Sequence, residues 1–200
     1  MIVRRIWVLT LFPEYFQPLV ERGVAGQALR GERGQQLELN TVQIRHFSPK
    51  DYKGVDGAPF GGGPGMVMRA DVLENALIQG VVEPGEYGNN YREKLHIVYT
   101  GPRGEVWNNQ RAKEFAHHVW GENPKDVVVI CGRYEGIDER FFLHYVDREI
   151  SLGDFVLTGG EIAALGILDS ALRFLPGVLG NRESVESESF QGDLLEHPQY

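Results

Sequence analysis

Cysteine is almost missing from this chain: Cys131 is the only one in 200 residues. That excludes an intramolecular disulfide and a cysteine-rich zinc site, and it fits a reducing compartment, the cytoplasm. A basic excess is missing as well. With 20 Lys and Arg against 28 Asp and Glu, a net charge of -8 and a pI near 5.3, the chain lacks the overall footprint of a general nucleic-acid binder. A membrane-length apolar run is also absent. The most apolar segment, "IAALGILDSALRFLPGVLG", holds Asp169 and Arg173 and is interrupted by Pro176, so it falls short of a span. The N-terminal "MIVRRIWVLTLFPEYF" has a short apolar stretch that runs into Pro13 and Glu14 without a small-residue cleavage site, and it reads as a first strand. Neither G-x-x-x-x-G-K-[ST], H-E-x-x-H nor G-x-S-x-G occurs. A phosphate-loop nucleotide site, a helix-borne metal site and a serine nucleophile are therefore not expected, and no metal site is indicated.

What is present suits a folded domain, since 42% of the residues are hydrophobic, enough to bury a core. Charge is unevenly spread. Arg4, Arg5, Arg22, Arg30, Arg33, Arg45, Lys50 and Lys53 lie early, while Glu183, Glu186, Glu188, Asp193 and Glu196 crowd the end, which leaves room for a local basic face. "IVRRIWVLTLF" predicts a strand and "FPEYFQPLVERGVAGQAL" a helix entered at Pro13 and restarted at Pro18. "QLELNTVQIRHF" alternates and then shifts phase at Val42 and Ile44, as a strand with an irregularity would. Further helices are expected in "ADVLENALIQGV", "NNQRAKEFAHHVW" (capped by Asn108 or Asn109) and "EIAALGILDSALRFL", and strands in "KLHIVYTG" and the wholly apolar "DVVVICG". This alternation predicts an α/β fold with a largely parallel sheet flanked by helices. The polar, acidic tail from Gly180 predicts a flexible segment that orders only against something else.

Glycine marks the candidate chemistry. "PFGGGPGM" (59–66) matches no phosphate-binding pattern, so it is either an irregular connection or a place where backbone approaches a ligand or another chain closely. Three more glycine-bearing stretches follow strands: "YTGPRG" (99–104), "CGRYEG" (131–136) and "SLGDFVLTGG" (151–160). Loops at the C-terminal ends of parallel strands converge on one crevice. These three offer backbone N–H and C=O groups and few charges, which suits an uncharged heteroaromatic such as adenine. Asp138 to Arg140 read as a solvated helix start, whereas Glu135 sits inside its turn, where a carboxylate can meet a cationic or amine-bearing ligand. Asp169 and Arg173 are spaced i,i+4 in very apolar surroundings, which favours a buried pairing or a functional anion contact over a surface ion pair. His117 and His118 read as helix surface, and Cys131 as a small buried hydrophobe.

Together "FGGGPGM", "VVVICGRYEGIDERF", "SLGDFVLTGGE" and "ALRFLPGVLG" resemble the bacterial tRNA (guanine-N1)-methyltransferases of the TrmD type, members of the SPOUT superfamily, over essentially the whole chain. The resemblance implies a deep trefoil knot, a homodimer with active sites at the subunit interface, and transfer of a methyl group from S-adenosylmethionine to N1 of the guanosine just 3′ of the anticodon. It implies that the cofactor is held by Tyr99, Thr100, Gly101, Pro102, Gly132, Tyr134, Glu135, Ser151, Leu152, Gly153, Phe155, Leu157, Gly159 and Gly160. Pro64 and Gly65 would stand on the substrate side. Removing the N1 proton needs a base and the developing charge on O6 needs a cation. Arg173 matches the family arginine for the second role. The family base is the aspartate of an Asp-Ser-Phe stretch that reads Glu188-Ser189-Phe190 here, so the carboxylate is kept with one more methylene.

The implied partners are tRNA and a second copy of the chain, with neither DNA nor membrane; magnesium is used by the family, with no carboxylate cluster here to mark its place. The expected organisation is a methyltransferase domain over 1–175 and a linker over 176–200 that carries Glu188, without the family's C-terminal helical domain. Gly57 and Ala58 replace an acidic and a basic residue that usually precede the glycine loop. Two other readings stay open on these residues: a different SPOUT RNA methyltransferase, and a cofactor-binding dimer without turnover.

Overall fold

Strands whose every residue is apolar need cover on both faces, and the architecture supplies it. The computed structural model describes residues 4–34, 36–49 and 54–179. In chain order the elements are β1 (Arg4–Thr10), a 3-10 turn (Pro13–Phe16), α1 (Gln17–Glu21), α2 (Gly23–Leu29) and β2 (Leu37–Gln43). The short strands β3 (Asp56–Gly57) and β4 (Val67–Met68) follow, then α3 (Ala70–Leu77), α4 (Tyr91–Lys94), β5 (Leu95–Val106) and α5 (Asn109–Trp120). Last come β6 (Asp126–Cys131), α6 (Glu139–Tyr145), β7 (Arg148–Ser151) and α7 (Glu161–Leu172). The main sheet has the order β2-β1-β6-β5-β7, and every neighbouring pair in it is parallel.

Alternate strand residues feed two cores. Ile6, Val8, Val127, Val129 and Cys131 pack with Phe115 of α5 and Ile167, Leu168 and Ala171 of α7. Trp7, Leu9, Val128 and Ile130 pack on the other face with Val72, Leu73 and Leu77 of α3 and Phe141 of α6. Val178 is buried in the first core, so packing runs on past residue 175. The expected flexible tail from Gly180 and its Glu188 lie outside the described residues.

Local expectations are corrected at three places. The phase shift after Val42 is the end of the strand: Ile44–Phe47 forms a 3-10 turn entered at Gln43, whose side chain accepts from the Arg45 amide. The helical segment after β1 restarts at Gln17, with Pro18 in the first turn, and breaks again at Arg22–Gly23, where Gly23 has φ 68°. "YTGPRG" is an excursion inside β5, which pairs with β7 through Thr100, bulges, and pairs again from Glu105. Asn108 caps α5 by accepting from the Arg111 amide, and Asp138 caps α6 by accepting from that of Arg140. Among the described residues no helix is long and apolar enough to cross a membrane.

Candidate active site

The bulge within β5 and the C-terminal ends of β6 and β7 open into one cavity of about 270 Å³. Tyr99 to Pro102, Gly132 to Gly136, Ile150 to Leu152 and Phe155 to Gly160 line it, with Ala163 at the start of α7. Thirteen of the fourteen residues proposed for the cofactor are in that lining; Gly153 lies in the same loop but not on the wall. Sequence reasoning had found the loops through their glycines but missed Arg133, Gly136, Ile150, Val156, Thr158 and Ala163 as lining residues.

The loops meet so closely because glycine removes side chains at the crossing. A Cβ on Gly160 would stand 1.9 Å from Oγ1 of Thr100 and 2.7 Å from N of Gly132. Instead the Gly160 amide donates to the Gly132 carbonyl at 2.8 Å. Between these loops Tyr134 takes φ 58°, a left-handed conformation that a non-glycine residue adopts at some cost, and such strain gathers at ligand sites. Tyr99 is buried against Gly132, and burial together with nearby Glu149 pushes its hydroxyl up to about 12, so it stays a neutral donor.

The "PFGGGPGM" loop joins this wall at its exit. The Glu135 amide donates to the Met66 carbonyl at 2.9 Å, the Met68 amide to Gly136 at 2.9 Å, and the Asp138 amide to Met68 at 2.9 Å. Gly65 has φ 85°, and a Cβ there would be 2.4 Å from Cγ of Glu135, so both conformation and space require glycine. Its tip is different: a Cβ added at Gly61, Gly62 or Gly63 would meet nothing within 4 Å, Pro64 is exposed, and Phe60 points wholly into solvent. The close-packed backbone is confined to 65–68.

Arg173 does not come together with the cavity in one chain. It caps the C-terminal end of α7, about 18 Å along the axis from Glu161 at 1.5 Å per residue. It is half-buried, whereas Asp169 is exposed, so the site of the two residues is less enclosed than the apolar sequence around them predicts. The outer face of α7 shows Ile162, and the preceding loop shows Phe155, Val156 and Leu157, all exposed. His117 and His118 are exposed on α5. Cys131 is fully buried and burial raises its thiol well above the usual value, so it is not a nucleophile. Among the described residues no group of three or more His, Cys, Asp or Glu is placed to hold a metal ion.

Comparison with known proteins bears on the same chain. A family model described as "tRNA (Guanine-1)-methyltransferase TrmD" matches residues 4–200. A tRNA (guanine-N(1)-)-methyltransferase of Magnetococcus marinus is 45% identical over 199 residues, 98% of this chain and 70% of that protein. One from Ruegeria sp. is 45% identical, over 96% of this chain and 72% of the relative. Among solved structures, a tRNA (m1G37) methyltransferase from Aquifex aeolicus superposes with a TM-score of 0.73 at 39% identity, covering 90% of this chain and 73% of the other.

Proposed function

The chain belongs to the tRNA (guanine-1)-methyltransferase family, enzymes that methylate N1 of guanine in tRNA, and we propose that it does so with S-adenosylmethionine held in the cavity between the β5 bulge and the ends of β6 and β7. The observation that carries this reading is the convergence of three glycine loops on one cavity at the C-terminal edge of a parallel sheet. The likeness carries the SPOUT fold, trefoil knot included.

The lining suits the proposed cofactor. Ile150, Leu152, Leu157 and Ala163 offer apolar surface for a flat heteroaromatic ring, and the backbone of the glycine loops offers donors and acceptors for its edge. Glu135 stands at the mouth, where its carboxylate faces the positive end of such a cofactor. When bound, the cofactor supplies an activated methyl group. The chain's own groups have the rest to do. Glu188 takes the N1 proton of guanine as general base, and the Arg173 guanidinium balances the negative charge that gathers on O6. The target is the guanosine just 3′ of the anticodon, brought in past Pro64 and Gly65.

A single chain keeps Arg173 at the far end of α7 from the cavity, so the reading requires a second copy whose Arg173 reaches this cavity. The exposed Phe155, Val156, Leu157 and Ile162 supply apolar surface for that homodimer. A cytoplasmic location follows from the substrate and agrees with the lone buried Cys131. No step is assigned to magnesium; among the described residues no group of three or more His, Cys, Asp or Glu is placed to hold it.

Methyl transfer to unmodified tRNA transcripts tests the reading. With S-adenosylmethionine as donor, the label is expected on N1 of the guanosine 3′ of the anticodon and absent when that nucleotide is replaced by another base. Transfer that persists on the replaced transcript contradicts the reading.

A further inference from the structure

Beneath the cavity lies an ion pair with no part in the reaction as described. Glu161, the first residue of α7, is 1% exposed. Its Oε1 accepts from Oγ1 of buried Thr10 at 2.8 Å and from Nε of Arg133 at 3.3 Å, and its Oε2 is 2.8 Å from Nη2 of Arg133. The Thr10 hydroxyl in turn accepts from the Phe12 amide at 3.0 Å, and the Arg133 guanidinium carbon lies 4.5 Å from the centre of the Phe12 ring. Three distant segments are thus fixed on one another: the end of β1, the loop after β6 and the start of α7.

Arg133 has one edge left over, and it is spent on the cavity wall. Nη1 donates to the Thr158 carbonyl at 2.9 Å, and Gly159 makes room, since a Cβ there would be 2.1 Å from Nε of Arg133. Phe155 to Gly160 form one side of the cavity, and the loop's own backbone ties are sparse. Phe155 donates to Gly153 at 2.9 Å within it, and Gly160 to Gly132 at 2.8 Å at its base. A buried ion pair is often replaceable by apolar residues without loss of stability, so stability alone does not account for this one. An arginine has the forked geometry to hold a carboxylate with one edge and a carbonyl with another.

We propose that Glu161 is a positioning residue that acts through Arg133 to hold the 153–159 loop in the shape that closes the cofactor cavity. This rests on the reading of the cavity as the S-adenosylmethionine site. Glu161 touches neither cofactor nor tRNA; it fixes the arginine, and the arginine fixes the wall.

Glu161→Gln removes the charge and keeps the side-chain shape and an acceptor for Thr10. In the full chain it is expected to raise the KM for S-adenosylmethionine about tenfold, the scale of one charge-assisted hydrogen bond, with kcat at saturating cofactor within about twofold. Amide exchange at 154–158 is expected to quicken several-fold without cofactor present, while 127–131 in β6 stays protected. Arg133→Lys keeps a cation opposite Glu161 but has no second N–H edge for Thr158. It is expected to show the same rise in KM and the same exchange, and it decides the matter if Glu161→Gln does not fold. Unchanged KM and unchanged exchange in the folded variants overturn the proposal. So does a fall in kcat that tracks the folded fraction at constant KM, which marks a structural pair only. If the unaltered chain binds no S-adenosylmethionine, the cofactor reading fails, and the exchange at 154–158 still decides whether the pair holds the loop.

Discussion

At the N-terminal ends of the strands, Nε1 of Trp7 donates to Oη of Tyr87 at 2.9 Å, Tyr87 donates to Asp126, and Oδ1 of Asp126 accepts from the Arg5 amide at 2.8 Å. At the C-terminal ends, Thr10, Glu161 and Arg133 make a network of similar size. The first joins β1, β6 and the segment before α4 and reaches no loop that lines the candidate active site: burial and the Asp126 hydrogen bond raise the Tyr87 hydroxyl far above its ordinary range, so it stays a donor. The second ends on the carbonyl of a loop that lines a cavity. The strained Tyr134 and the tightly crossed Gly132 and Gly160 are also at this end. Polar burial at the foot of the sheet therefore serves stability, and polar burial at its mouth serves placement. In a parallel sheet the strand C-termini are where loops converge, which is why the two ends diverge.

Substitutions separate the two ends. The largest effect is expected at the two residues proposed for the reaction itself: Glu188→Gln and Arg173→Ala should each lower kcat by about 10²–10⁴-fold, with cofactor affinity and melting temperature little changed. Calorimetry with S-adenosylmethionine beside a methyl-transfer assay checks both, and full transfer by Glu188→Gln removes it as the base.

Next in size is a pH dependence that belongs to the foot. Burial lowers the His96 pKa from 6.5 to about 4, with His118 adding and Asp147 opposing. Between those values the unfolded chain binds the proton and the folded chain does not, so stability is whole above pH 6.5 and is lost as the pH falls toward 4. The loss is about 3 kcal/mol, at 1.36 kcal/mol per pKa unit. Denaturant titrations from pH 7 to 5 should show this slope, and His96→Asn should flatten it.

Tyr87→Phe is expected to cost about 1–3 kcal/mol by leaving Trp7 and Asp126 without their shared partner, with kcat unchanged once folded. A change in cofactor KM there would blur the division between the two ends. The smallest effect is Asn108→Ala at the α5 cap, about 1 kcal/mol of stability and no change in methyl transfer.

Much of the frame was legible because its causes are local. The uninterrupted Val127 to Cys131 announced a strand covered on both faces, and the glycines of 99–104, 132–136 and 151–160 announced the cavity before any contact was known. What escaped depends on distance along the chain. Arg133 and Glu161 are 28 residues apart, and Thr10 and Glu161 are 151 apart; no spacing rule joins such residues. β5 hid its continuation because the bulge at Gly101–Gly104 has the composition of a turn. The i,i+4 spacing of Asp169 and Arg173 could not tell that Asp169 stays exposed and that Arg173 is the residue that ends the helix.

Amide hydrogen exchange of the full chain with and without S-adenosylmethionine tests the division most directly. Protection is expected at 99–104, 132–136 and 151–160, with Trp7, Tyr87 and His96 at the foot unchanged. Protection centred on the foot, or none at the mouth under saturating cofactor, would contradict it.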